Sequence, residues 1–151
     1  MSVTAKDIMT TDVLSVRPSD SIEKVASILM ENKISGLPVV NDEGSLVGLI
    51  SEGDLVFQNK KISPPAVVDI LGALIIVGSQ EKYYEDIKRT LASNVESLMI
   101  NDVITVNPEQ TIEELASMMI DKNVNRLPVI DGDKLVGIVT RHDLIGAMHK
   151  R

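Results

Sequence analysis

Apolar residues recur along this chain in two periods, and the order of those periods is written twice. In the first half they fall at Ile22, Val25, Ala26 and Leu29; in the second at Ile112, Leu115, Ala116 and Met119. That spacing predicts one amphipathic helix in each half. Shorter apolar runs surround each helix. Val13–Val16 and Val103–Val106 precede it, Leu37–Val40 and Leu127–Ile130 follow it, and Leu46–Ile50 and Leu135–Val139 come next. These runs read as strands, the last two of each half flanking a turn rich in Asn, Asp and Gly. Pro18 and Pro108 break the first strand from the helix. Ser21, with Asp20 as competitor, suits a helix N-cap, and Thr111 with Glu114 three residues on is a capping box. A short helical turn ending near Met9 or Met99 opens each half, and a second helix opens at Ser51 or Thr140. The predicted order is β-α-β-β-α, twice.

The duplication extends to residue identity. LVGLISEGDL at Leu46–Leu55 and LVGIVTRHDL at Leu135–Leu144 share five of ten residues. DVLSVRP at Asp12–Pro18 falls on DVITVNP at Asp102–Pro108, and GLPVV at Gly36–Val40 falls on RLPVI at Arg126–Ile130. A repeat of roughly 55 residues is marginal as a lone domain, so the two are expected to pack together as one module. The expected division is a first repeat over 1–57, a connector over 58–94 and a second repeat over 95–151. The connector is long for a loop. It carries Pro64-Pro65, an apolar run at Ile70–Val77 that suits a buried strand or short core helix, and a segment from Ser79 with Tyr84, Ile87 and Leu91 on one helical side.

Composition narrows the chemistry. Aromatic residues make up 2% of the chain, so Val, Ile, Leu, Met and Ala must build both the core and any base pocket. Met9, Met30, Met99, Met118 and Met119 are read as core filler. The net charge of -7 argues against nucleic acid, whose binding depends on neutralising phosphates. There is no cysteine, which removes disulfides, thiol nucleophiles and Cys metal sites and fits a reducing, cytoplasmic setting. No apolar run approaches the roughly 18 residues of a membrane helix, and Met1–Thr10 has no signal-like apolar stretch.

The repeated Ser51-x-x-Asp54 and Thr140-x-x-Asp143 stand where a strand gives way to a helix, and two readings fit. A hydroxyl residue followed three positions later by an acid is a helix-capping pattern. The same pair also suits a nucleoside phosphate: a carboxylate accepts from both hydroxyls of a ribose diol, and a helix start offers N–H groups to phosphate.

The chain resembles a tandem pair of CBS domains, the Bateman module, of the kind found as small standalone bacterial proteins. The resemblance is carried by Asp7-Ile8-Met9-Thr10, Val13–Pro18, Ser35-Gly36-Leu37-Pro38 and Leu46-Val47-Gly48 through Asp54, with counterparts at Leu98-Met99, Val103–Pro108, Asn125-Arg126-Leu127-Pro128 and Leu135-Val136-Gly137 through Asp143. It implies an α+β fold of two pseudo-twofold-related repeats. It also implies regulatory binding of an adenosine compound: AMP, ADP, ATP or S-adenosylmethionine. One site would join Thr10, Val13, Leu14, Ile34, Ser35, Gly36 and Pro38 to Thr140, His142 and Asp143. The other would join Ile100, Val103, Ile104, Val124, Asn125, Arg126 and Pro128 to Ser51, Gly53 and Asp54. Aliphatic residues would sandwich the purine and the acids would take the ribose.

Arg126 suits a phosphate in the second site, where Glu52 would repel one; Arg141 and His142 stand near the first. The competing reading is a structural or oligomerising module whose motifs only cap helices and which acts through a protein partner. An enzyme is not expected: His142 and His149 are the only histidines, and no phosphate loop or dinucleotide glycine pattern is present. No cofactor or metal is required, and a homodimer is expected.

Overall fold

In the computed structural model, described over residues 2–56, 66–70, 73–77 and 92–149, the elements follow the predicted order. They are α1 (Ala5–Ile8), α2 (Ile22–Asn32), β1 (Gly36–Val40), β2 (Leu46–Ser51), α3 (Glu52–Val56), β3 (Ala66–Ile70), β4 (Ala73–Val77), α4 (Val95–Leu98), α5 (Ile112–Asp121), β5 (Arg126–Asp131), β6 (Lys134–Thr140) and α6 (Arg141–His149). β1 pairs with β2, β3 with β4 and β5 with β6. The apolar run Ile70–Val77 supplies the end of β3 and all of β4, which form an antiparallel hairpin. The helix expected from Ser79 lies outside the described residues.

The two longer helices start where the caps predict. The Ser21 side chain accepts from the Lys24 N–H at 3.1 Å. Thr111 Oγ1 accepts from the Glu114 N–H at 3.3 Å, while the Glu114 carboxylate accepts from Gln110 Nε2 at 3.5 Å. The forward arm of that capping box is therefore the one formed.

Each expected first strand shrinks to a single bridge. Val16 donates to the Pro38 carbonyl and accepts from the Val40 N–H, and Val106 does the same between Pro128 and Ile130. Prolines explain the length. Extending the parallel ladder one step needs an N–H from Pro38 or Pro128 on one side and from Pro18 or Pro108 on the other, and proline has none.

The chain forms two compact units, one of Met1–Arg17, Pro38–Leu49 and Ile100–Arg151, the other of Pro18–Leu37 and Ile50–Met99. In the first, Val106, Ile112, Leu115, Met119, Leu127, Val129, Val139 and Leu144 enclose Ala5 of α1. Full burial of each large aliphatic side chain contributes about 1.5–3 kcal/mol. The Ala5 N–H donates to the Gln110 carbonyl at 2.8 Å and the Lys6 N–H to that of Pro108 at 3.0 Å. The opening turn of the first repeat thus packs with the second repeat. The second unit mirrors this: the Val95 N–H donates to the Asp20 carbonyl and the Glu96 N–H to that of Pro18. Met119 is core, as expected, but Met30 is 80% exposed on α2 and does not fill the core.

Candidate functional site

The strand-to-helix corners are built by the repeated hydroxyl–acid pairs. At the end of β6, the Thr140 N–H and hydroxyl donate to Asp143 Oδ2 at 2.9 and 3.0 Å, and the Asp143 N–H returns a bond to Thr140 Oγ1 at 3.2 Å. At the end of β2, the Ser51 N–H and hydroxyl donate to Asp54 Oδ2 at 2.8 and 3.1 Å. Both motifs are helix caps. A third has the same form: the Thr4 N–H and hydroxyl donate to Asp7 Oδ2 at 2.9 and 3.0 Å.

Capping does not exhaust these carboxylates. Each has about four acceptor positions on two oxygens, and the capping bonds use Oδ2 alone. Their surroundings then separate them. Asp54 is 3% exposed. Asp143 is half-buried and borders an open pocket of about 510 Å³ on the surface of the first unit, lined by Val3, Asp7, Ile8, His142, Asp143, Gly146 and Ala147. The bonds from the Thr4 backbone and side chain hold the exposed Asp7 carboxyl below its ordinary pKa. The neighbouring Lys6 is hydrogen-bonded to Glu109 at 3.0 Å, which holds its ammonium above its ordinary value.

Among the residues expected for the first site, Thr10 exchanges backbone bonds with Ile138 at 2.9 and 3.0 Å, beside the strand that ends at Thr140. Pro38 holds Val16 through its carbonyl; Val13 is half-buried and Leu14 is 43% exposed. Thr10, Val13, Leu14, Pro38, Thr140, His142 and Asp143 all belong to the first unit, whereas Ile34, Ser35 and Gly36 belong to the second. The Ser35 carbonyl accepts from the Glu52 N–H at 2.9 Å, which ties the loop to the start of α3.

The residues expected for the second site are distributed differently. Ile100 exchanges bonds with Leu49, Ile104 and Val124 pack on the core, and Pro128 accepts from Val106. The Asn125 carbonyl accepts from the Arg141 N–H at 2.9 Å, and Arg126 lies opposite Thr140 in the β5–β6 register. These residues and Val103 belong to the first unit; Ser51, Gly53 and Asp54 belong to the second. Val103 lines a smaller pocket of about 310 Å³ with Leu46, Val47, Ile130 and Asp133.

Asp7, Val3, Ile8, Gly146 and Ala147 were not among the expected site residues. The signal for Asp7 was present, because Thr4-x-x-Asp7 repeats the spacing of the other two motifs. Among the described residues no group of three or more His, Cys, Asp or Glu side chains stands ready to hold a metal, and no helix is long and apolar enough to cross a membrane.

Comparison with known proteins gives concordant results. The profile of the CBS domain matches residues 5–59 and 95–150. The protein MJ1426 of Methanocaldococcus jannaschii is 37% identical over 151 residues, covering 95% of this chain and 89% of that protein. The chloroplastic CBS domain-containing protein CBSX2 of Arabidopsis thaliana is 32% identical over 87% of this chain, which spans 57% of that protein's length. The crystal structure of CBSX2 in complex with AMP superposes with a TM-score of 0.74 at 28% identity, covering 98% of this chain and 97% of that one. The CBS domain pair of protein MJ0100, at 23% identity and a TM-score of 0.72, shares the fold.

Proposed function

Because the chain belongs to the CBS-domain family and carries its unit twice, we propose that it is a regulatory module that binds an adenosine compound, with Asp143 as the principal ribose acceptor. The observation that carries this reading is the half-buried Asp143 carboxylate, oriented by Thr140 through Oδ2 and bordering an open pocket of about 510 Å³. A ribose diol takes Oδ1, which lies outside the cap. Aliphatic side chains such as Val13 and Leu14 suit a purine face in a chain with so few aromatic rings. The AMP complex of CBSX2 supports an adenosine ligand for this chain.

The Ser51–Asp54 motif favours a structural role, because its acid is buried and capped. One dominant site is therefore expected. Calorimetry across AMP, ADP, ATP, S-adenosylmethionine and guanosine controls tests the class: micromolar binding confined to adenosine compounds supports it, and silence across the panel contradicts it.

The module acts through assembly. Ile120 is 79% exposed on α5, and Ile145 and Met148 are 59% and 58% exposed on the adjoining α6. Met30, aligned with Ile120 in the first repeat, is exposed as well. We assign Ile120, Ile145 and Met148 of the first unit to a homodimer contact. Light scattering at micromolar concentration should give about 33 kDa, twice the 16.4 kDa chain mass, and Ile120→Lys should reduce it to the monomer. A monomeric wild-type protein would refute the assembly.

A further inference from the structure

Among the backbone bridges that join the two repeats inside the first unit are Thr10 with Ile138, Leu49 with Ile100, and Ser45 with Lys134. Thr10 aligns with Ile100 and Leu49 with Ile138, so the first two bridges are copies of one another. Ser45 aligns with Lys134, so the third is its own copy and marks the pseudo-twofold axis. At that axis the side chains break the symmetry. Lys134 Nζ donates to the Glu43 carbonyl, and its stem passes beside Gly44, where an added Cβ would stand 3.9 Å from Lys134 Cδ. The Leu135 N–H donates to the Gly44 carbonyl at 3.4 Å. Serine, at the aligned position of the first repeat, is too short to return that reach.

The accepting turn is held from within. NDEGS at Asn41–Ser45 is one residue longer than DGDK at Asp131–Lys134. Asn41 Oδ1 accepts from the N–H groups of Glu43 and Ser45 at 3.1 and 2.9 Å, and the Asn41 carbonyl accepts from the Gly44 N–H at 3.0 Å. Asp42 pairs with Arg17. Gly44 closes the turn at φ 83°, a region that glycine occupies without steric cost. The Glu43 and Gly44 carbonyls are thereby turned toward Lys134 and Leu135 of the second repeat.

Lys134 and Thr140 are the two ends of β6. Ile138 ties β6 to the first repeat near the end that carries Thr140, and Lys134 ties it at the other end. Two attachments on one strand fix its angle, where one alone leaves a pivot. Within the first unit, Thr10, Val13, Leu14 and Pro38 come from one repeat, and Thr140 and Asp143 from the other. Resting on the adenosine reading, we propose that Lys134 is a positioning residue. Its clasp on the Glu43–Gly44 turn sets the angle of β6 and so holds Asp143 against the first-repeat wall of the site before the ligand arrives. Such preorganisation raises affinity by removing an ordering cost from binding.

Lys134→Met keeps an unbranched stem and removes the donor; Lys134→Arg keeps a cationic donor. Hydrogen exchange of the ligand-free proteins reads the clasp directly. In Lys134→Met the amides of Leu135, Ile138 and Thr10 should exchange about fivefold faster. Those of Val16 and Val106, which bond within their own repeats, should be unchanged. Calorimetry with AMP and S-adenosylmethionine reads the consequence: Lys134→Met should weaken whichever binds the wild type by about fivefold, and Lys134→Arg should restore it to within about twofold. Unchanged exchange at Thr10 and Ile138, or unchanged affinity in Lys134→Met, overturns the positioning role and leaves the adenosine reading standing. Faster exchange at Val16 and Val106 as well overturns it too, because Lys134 would then add only to overall stability. If neither compound binds the wild type, the adenosine reading falls and the positioning role with it, while the exchange data still decide whether the clasp exists.

Discussion

A methyl group added at Gly137 would stand 2.8 Å from Met9 Cγ and 3.1 Å from Met9 Cβ. That crowding accounts for one letter of the repeated LVG. β6 must let the Met9–Thr10 segment pass close enough for Thr10 to exchange two backbone bonds with Ile138. Gly137→Ala should destabilise the protein by about 1–3 kcal/mol through overpacking, read as a lower urea midpoint; an unchanged midpoint would show that Met9 moves aside without cost. Other residues divide by how far their role depends on distant neighbours. The pairing of Thr140 with Asp143, and of Ser51 with Asp54, was legible because both partners sit three positions apart in one turn. The difference between a pocket-lining Asp143 and a buried Asp54 was not, since burial is set by residues far away in the chain. Asp7 was missed although its motif was visible: it lines the same pocket as Asp143 because α1 packs against α6 of the other repeat.

At the scale of elements, periodicity located α2, α5 and all four hairpin strands of the repeats, because apolar spacing directly reports which face is buried. It overestimated the first strand of each repeat, where prolines on both sides hold the parallel pairing to one bridge. Helix exits were less legible than helix starts, since they depend on backbone sign rather than side-chain capping. Lys33 closes α2 in the left-handed conformation at φ 54°, ψ 44°, and the aligned Asn123 follows α5 at φ 53°. Asn tolerates that region; a lysine there is strained by about 1–2 kcal/mol. Lys33→Gly should therefore raise stability by about 1 kcal/mol after the entropic cost of glycine, seen as a higher melting temperature. A lower one would mean that the lysine side chain contributes more than its backbone strain costs.

For the whole molecule, the internal repeat was the most legible property, and with it the fold class, the family and the expectation of an adenosine ligand. What the repeat did not reveal is that each opening turn packs with the other repeat: Ala5 is buried among residues of the second repeat, and Val95 is bonded to Asp20 of the first. Linear alignment assigns those turns to their own copies, because it records similarity and not packing. The exposed Met30 and Ile120 likewise become informative only once the helices have used their other faces for the core. The central claim, that this duplicated fold holds an adenosine compound at Asp143, is tested most directly by calorimetric titration of the adenosine ligand that binds best into the wild type, Asp143→Ala and Asp54→Ala, each first shown to be folded by circular dichroism. The account predicts micromolar binding to the wild type, loss of about tenfold or more in Asp143→Ala, and affinity retained in Asp54→Ala despite a lower melting temperature. Equal affinity in the wild type and Asp143→Ala would contradict it.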